Sequence, residues 1–219
     1  MSHIKKYFSK EDLAKIEDAV RESEKQTGAE IVPYFVESSH DYISGSYRAS
    51  TLWSICISGT FLLTYFLPRG WESEYFTMQT VLLVVFLGSI LPVLVGLIFP
   101  KFRIWFYTKA EIGRITRRRA EKAFLQEEVF RTKDRTGVLL FMSFFERKIE
   151  ILADKGISSA VDPSAWEEAV SMISKTMKTK DRTKGLCDAI FFLGKIYKEK
   201  GIVKKADDTN ELKDNLRLG

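Results

Sequence analysis

The sequence predicts an α/β fold: a small mixed sheet flanked by helices, interrupted by a two-helix transmembrane hairpin. Charge placement is the first reason. The chain holds 34 Lys and Arg and 29 Asp and Glu, yet between Ala49 and Pro100 only Arg69, Glu72 and Glu74 are charged. That contrast excludes a plain soluble globule and a disordered chain alike, since neither gathers its apolar residues into one nearly uncharged block. Second, the block contains two uncharged runs, Ala49–Pro68 and Thr77–Pro100. Roughly 20 residues at 1.5 Å each cross the ~30 Å hydrocarbon core of a bilayer as a helix. Third, apolar runs of strand length alternate outside the block with helical patterns, which is how a sheet covered by helices reads.

The elements follow in order. Met1 to Lys10 is polar and leads straight into a helix, without the pattern of a cleavable secretory signal. Ser9 with Asp12 forms a capping signal, Leu13, Ile16, Ala19 and Val20 share one helical face, and Gly28 follows the end. Ala29–Glu37 is a strand, with Pro33 confining it to an edge or a bulge. Ser38–Tyr47 is a loop, which completes a first segment of the water-facing domain, residues 1–48. The hairpin occupies 49–100, with spans at about 50–67 and 80–99. The second run is apolar on every face. The first is diluted by Ser50, Thr51, Ser54, Ser58, Thr60 and Thr64, whose hydroxyls can bond back to a helix carbonyl or across to a neighbour. Trp53, Tyr65, Trp71, Tyr75, Trp105 and Tyr107 cluster near the ends of the runs, where amphipathic rings settle at headgroup level.

The second segment of the domain, 101–200, opens with a long helix carrying Ile112, Ile115, Ala120, Ala123 and Phe124 and reaching to near Phe130. Gly137 then opens a strand, Val138–Ser143. Phe145–Asp154 alternates Ile149, Ile151 and Ala153 against Lys148, Glu150 and Leu152, so the two strands form a hairpin. Asp162 and Pro163 are an N-cap and first-turn pair, starting a helix with a stripe of Trp166, Ala169, Val170, Ile173 and Met177. A final helix, about Lys184–Lys200, carries Leu186, Ile190, Leu193 and Tyr197 on one face. Residues 201–219 read as a charged flexible tail.

The formal net charge is +5, and the excess sits in one place. Lys101, Arg103, Lys109, Arg114, Arg117, Arg118 and Arg119 stand against a single Glu111 directly after the second apolar run. Such a flank meets anionic lipid heads, and no nucleic-acid motif accompanies it, so nucleic acid is not an expected partner. The loop between the runs has one basic residue, Arg69. The positive-inside rule therefore puts both termini in the cytoplasm of a two-span protein of the cell (inner) membrane. Cys56 and Cys187 make neither a disulfide framework nor a zinc spacing.

The block Thr136–Ile157, with Phe8–Leu13 and Thr27–Val32 upstream, resembles the TPM domain family. The resemblance implies a compact α/β sandwich. It also implies, from members of the family, an acid-phosphatase-like activity and a divalent metal, Ca or Mg. The hairpin inserted within the domain resembles a cytoplasm-facing bacterial subgroup found beside LemA-type membrane proteins, which implies such a membrane protein as partner. Carried over residue by residue, Asp134, Glu146 and Arg147 are the nearest matches for catalytic positions, and Asp154 and Asp162 for metal ligands. Two departures stand out: Arg135 and Thr136 separate Asp134 from Gly137, and the acid before Arg147 is Glu146 instead of Asp.

Chemically, a phosphatase needs a nucleophile or metal-activated water and a group that neutralises phosphoryl charge. Asp134, Glu146, Asp154 and Asp162 could gather at one end of the sheet with Arg147 on an oxyanion. Each also has a plain structural reading: Asp162 as cap, Asp154 as turn residue, Glu146 as part of a solvated strand face. His3 and His40 are unsuited as catalytic groups, and no phosphate-cradling loop or nucleophile elbow occurs. The first expectation is therefore a membrane-anchored interaction or assembly module, presenting an edge strand or acidic pocket to a membrane-protein partner. A metal-assisted phosphomonoesterase at the membrane surface is the alternative.

Overall fold

A computed structural model describes residues 7–66, 77–176, 181–204, 212 and 216–219 of the protein. The loop residues Arg69, Trp71, Glu72, Ser73, Glu74 and Tyr75, together with His3 and Met177, lie outside the described residues. The chain divides into two compact units, Met1–Ser39 with Gly113–Gly219, and His40–Ile112.

The first unit is a helix-covered mixed sheet. Helix α1 (Lys10–Gln26) starts where expected: the Asp12 N–H donates to Ser9 Oγ at 3.1 Å and the Ser9 N–H to Asp12 Oδ2 at 3.0 Å, a closed capping box. Strand β1 (Glu30–Val36) pairs in parallel with β2 (Gly137–Ser143), Glu30 facing Gly137 and Val36 facing Ser143. Strand β3 (Lys148–Ala153) returns antiparallel along β2. Both β1 and β2 are buried along their whole length, which explains their near-continuous apolar runs: side chains alternate between two covered faces. One face brings Ile31, Phe35, Leu140 and Ile149 together with Ile16 and Val20 of α1, Ile173 of α7 (Pro163–Thr176) and Leu186 and Leu193 of α8 (Arg182–Glu199). The other sets Val32, Tyr34, Phe141 and Leu152 against Ala120 and Ala123 of α5 (Lys109–Gln126).

Two features differ from the sequence reading: the end of the chain, and the place of β1, expected at an edge or a bulge because of Pro33 and found between β2 and β4. The tail beyond Gly201 is not loose throughout, because Arg217–Leu218 forms strand β4 beside β1. The sheet order is therefore β3-β2-β1-β4, and β1 is covered on both sides at Tyr34 and Phe35. Pro33 is compatible with this position, because β4 stops short of it and the missing N–H faces no partner strand there.

The second unit contains α2 (Ile43–Phe66), α3 (Met78–Ile98) and the short α4 (Pro100–Ile104). Helix α2 begins before the uncharged run, so the expected loop Ser38–Tyr47 ends at Tyr42, with Asp41 Oδ1 accepting the Ile43 N–H at 3.2 Å. Helices α2 and α3 pack antiparallel: Ser46 lies against Gly96, the Ser50 hydroxyl donates to the Ser89 carbonyl, and Trp53 and Ile57 lie against Gly88. Small residues at these crossings let the backbones approach closely. The outer surfaces of both helices are apolar and uncovered, with Ile55, Leu63, Leu82 and Phe86 each about 60% exposed. Gln79–Ile98 of α3, at mean hydropathy 2.9, is long and apolar enough to cross a membrane, the one such helix among the described residues. At the base of the pair, Arg48 donates to Glu111 Oε1 (2.8 Å) and to the Phe106 carbonyl (2.9 Å), and its guanidinium lies 4.4 Å from the Tyr107 ring centre.

Candidate functional site

The residues singled out in the sequence fall at opposite ends of the β2–β3 hairpin. Asp154 follows β3 and is buried, 7% exposed. Its carboxylate faces the Arg135 guanidinium at Nε–Oδ2 2.6 Å and Nη2–Oδ1 2.9 Å, and it also accepts the Lys155 N–H at 2.7 Å, capping the single turn α6 (Lys155–Ser158). Arg135 holds a left-handed backbone (φ 58°), and its carbonyl accepts the Gly156 N–H at 2.9 Å. A Cβ at Gly156 would run into the carbonyl oxygens of Asp134 and Arg135, so the turn Asp154-Lys-Gly156 and the loop before β2 fit only with glycine there. Asp134 itself is exposed in that loop.

Glu146 lies at the other end. It accepts from the Ser39 N–H (2.8 Å) and the Ser38 hydroxyl (3.2 Å), and it bonds the Ser143 hydroxyl, so it ties the ends of β1 and β2 together. Arg147, exposed and left-handed (φ 53°), is the turn residue before β3. Between the two groups runs the length of β2, roughly 20 Å at about 3.3 Å per residue. The expected gathering of Asp134, Glu146, Asp154 and Asp162 at one end of the sheet therefore does not occur. Asp162, exposed at the start of α7, accepts from Lys200 Nζ at 2.8 Å, and that ammonium holds its carboxyl below the usual range.

The two acids read as metal ligands each face a protein cation in this structure. Asp154 pairs with the Arg135 guanidinium and Asp162 with the Lys200 ammonium. No group of three or more His, Cys, Asp or Glu suited to a metal occurs among the described residues.

A groove of about 460 Å³ is the feature that the linear pattern did not disclose. Its walls come from α5 (Arg117, Glu121, Phe124, Leu125), β3 (Ile151, Leu152, Ala153), α6 (Ser158) and α7 (Trp166). A second hollow of about 410 Å³ adjoins it, sharing Arg117 and Glu121 and adding Gly113, Arg114, Arg118 and Glu150. Arg117 spans the two elements, reaching Glu121 at 3.1 Å and Glu150 at 3.5 Å. The signals were present in part. Leu152 and Glu150 share one face of the alternating strand, and Arg114, Arg117 and Arg118 belong to the basic run that reads as a lipid flank. No spacing rule, however, joins α5 to β3 or to Trp166.

Residues 101–195 match the family model described as TPM domain. The matched stretch includes β2 and β3, and β1 from before the insert pairs along β2, so the segment ahead of the apolar block completes the same sheet. In fold, the chain is similar to the NMR structure of BA42 protein from the psychrophilic bacterium Bizionia argentinensis, with 20% identity, a TM-score of 0.59 and 100% of each chain covered. Among curated proteins none matches.

Proposed function

We propose, from the TPM domain that the chain carries at residues 101–195, that the protein is a membrane-anchored interaction or assembly module. In this reading α2 and α3 thread the cell membrane as a hairpin, and the sheet-bearing unit works in the cytoplasm with both termini. The observation that carries it is the uncovered apolar surface of α2 and α3: Leu63 at 64%, Phe86 at 63% and Leu97 at 65% exposure are sustained in lipid and costly in water. Helix α2 supplies the second span by packing along α3, with Thr51, Ser54 and Thr60 bonding back to their own helix carbonyls and so hiding their hydroxyls from lipid. A phosphomonoesterase has less support, since Asp134 and Asp154 stand a strand's length from Glu146 and Arg147. The partner is a membrane protein, of the LemA type by family resemblance.

Topology and chemistry are tested together. In a chain with Cys56 and Cys187 replaced by serine, a membrane-impermeant thiol reagent labels a cysteine placed at Ser73 in intact cells. A cysteine placed at Ser174 is labelled only after lysis. The reverse pattern overturns the orientation. Titration with Mg²⁺ or Ca²⁺ and a phosphate monoester yields no turnover; metal-dependent turnover lost in Asp162→Ala would replace the module with the enzyme.

A further inference from the structure

Strand β3 is an edge strand, and no strand pairs with its outer side among the described residues. An uncovered edge presents a row of backbone N–H and C=O groups ready to pair with another extended chain. This edge is flanked. Helix α5 stands on one side with Phe124 and Leu125, and Trp166 of α7 stands on the other, with Ile151, Leu152 and Ala153 between them. Leu125 is 63% exposed beside the edge. An edge strand beside a helix is the geometry that accepts an added peptide strand: main-chain bonds supply affinity, and hollows on either side read alternate side chains. At about 460 Å³ the groove falls within the range of about 300–1,000 Å³ common to ligand-sized sites.

Charge selects the occupant. The groove is apolar beside Ile151–Ala153 and turns basic beside Glu150, where Arg114, Arg117 and Arg118 converge. The two acids there, Glu121 and Glu150, are both engaged by Arg117. Arg114 and Arg118 are exposed and make no ion pair among the described residues. We propose that this groove binds an extended segment of another protein, apolar at one end and acidic at the other, as an added strand on the edge of β3. The proposal rests on the interaction-module reading and gives that module its docking site and the chemistry of its partner.

The test uses the full chain in phosphatidylcholine nanodiscs. The probe is a short fluorescein-labelled peptide of alternating valine and leucine followed by aspartates, read by fluorescence polarisation. Saturable binding is expected, weakened about tenfold or more by Leu125→Asp and by Arg118→Glu, and lost when alternate backbone amides of the peptide are N-methylated. Leu125 and Arg118 are exposed, and circular dichroism of the variants checks that the fold persists. No saturable binding, unchanged affinity in both variants, or equal binding of the N-methylated peptide overturns the proposal. So does a result in which Arg118→Glu abolishes attachment to anionic vesicles while leaving the peptide bound, because the arginines then serve lipid. A membrane partner cross-linked as well to the Leu125→Asp chain as to wild type would place docking elsewhere, overturning the groove while sparing the module. Absence of any cross-linked partner would overturn the module itself.

Discussion

Leu87 and Leu91 lie one turn apart on α3, 57% and 54% exposed, and they separate a lipid-facing helix from a water-facing one. On the membrane-insertion scale a leucine near the helix centre contributes about −0.3 to −0.6 kcal/mol and an arginine about +2.5 to +3.5, so each Leu→Arg exchange costs about 3–4 kcal/mol. The valines, leucines and isoleucines between Val81 and Ile98 together favour insertion by something on the order of 5 kcal/mol. Leu87→Arg alone therefore brings the span near balance, and Leu87→Arg with Leu91→Arg tips it out by about 1–3 kcal/mol. In water the same exchanges at exposed helix positions change stability by about 0.5 kcal/mol or less. The assay is the fraction of chain retained in carbonate-washed membranes: wild type in the pellet, the single variant divided, the double variant released or degraded. Leu87→Ile with Leu91→Ile controls for packing and stays in the pellet. A double arginine variant retained like wild type, or wild-type chain released by the wash, refutes the reasoning.

Two further expectations concern single side chains. Arg147 at φ 53° bears the left-handed cost of about 1–2 kcal/mol that glycine does not, so Arg147→Gly raises the melting temperature of the detergent-solubilised chain. A lower melting temperature would mean that the guanidinium makes a contribution larger than the backbone relief. Glu111 is held by Arg48 first, then by the Thr108 N–H and hydroxyl, which lower its carboxyl from 4.5 to about 2. A folded value below the unfolded one gives stabilisation that is present above pH 4.5 and disappears as the pH falls through about 2. Glu111→Gln should therefore melt below wild type at neutral pH, with the gap closing across that window. A gap independent of pH contradicts the pair.

Much of the fold was legible because its signals are local. Ser9 and Asp12 mark the start of α1 by mutual backbone capping. The alternation of Ile149 and Ile151 against Glu150 and Leu152 marks a hairpin strand whose two faces meet different neighbours. The parts that were not legible lack such signals. Strand β4 is two residues long and acquires its conformation by pairing with β1, and so short a segment has no periodicity of its own. The early start of α2 is set by Asp41 and by Arg48 reaching Phe106 and Glu111, partners far along the chain.

The candidate site shows the same limit in a different form. Glu146 and Asp154 are close in sequence, which invites the idea of one cluster, but an intervening strand is the most effective way for a short segment to hold two side chains apart. Each acid then finds a local role. Glu146 fastens Ser38, Ser39 and Ser143, Asp154 pairs with Arg135 and caps α6, and Asp162 pairs with Lys200. A ligand at any of these acids would compete with a partner already in hydrogen-bond reach. The proposed groove draws instead on groups with no ion pair or strand partner among the described residues: the outer backbone edge of β3, the exposed face of Leu125, and the guanidinium groups of Arg114 and Arg118. These come from separate stretches of chain and meet only when α5, β3 and α7 close around the edge of the sheet.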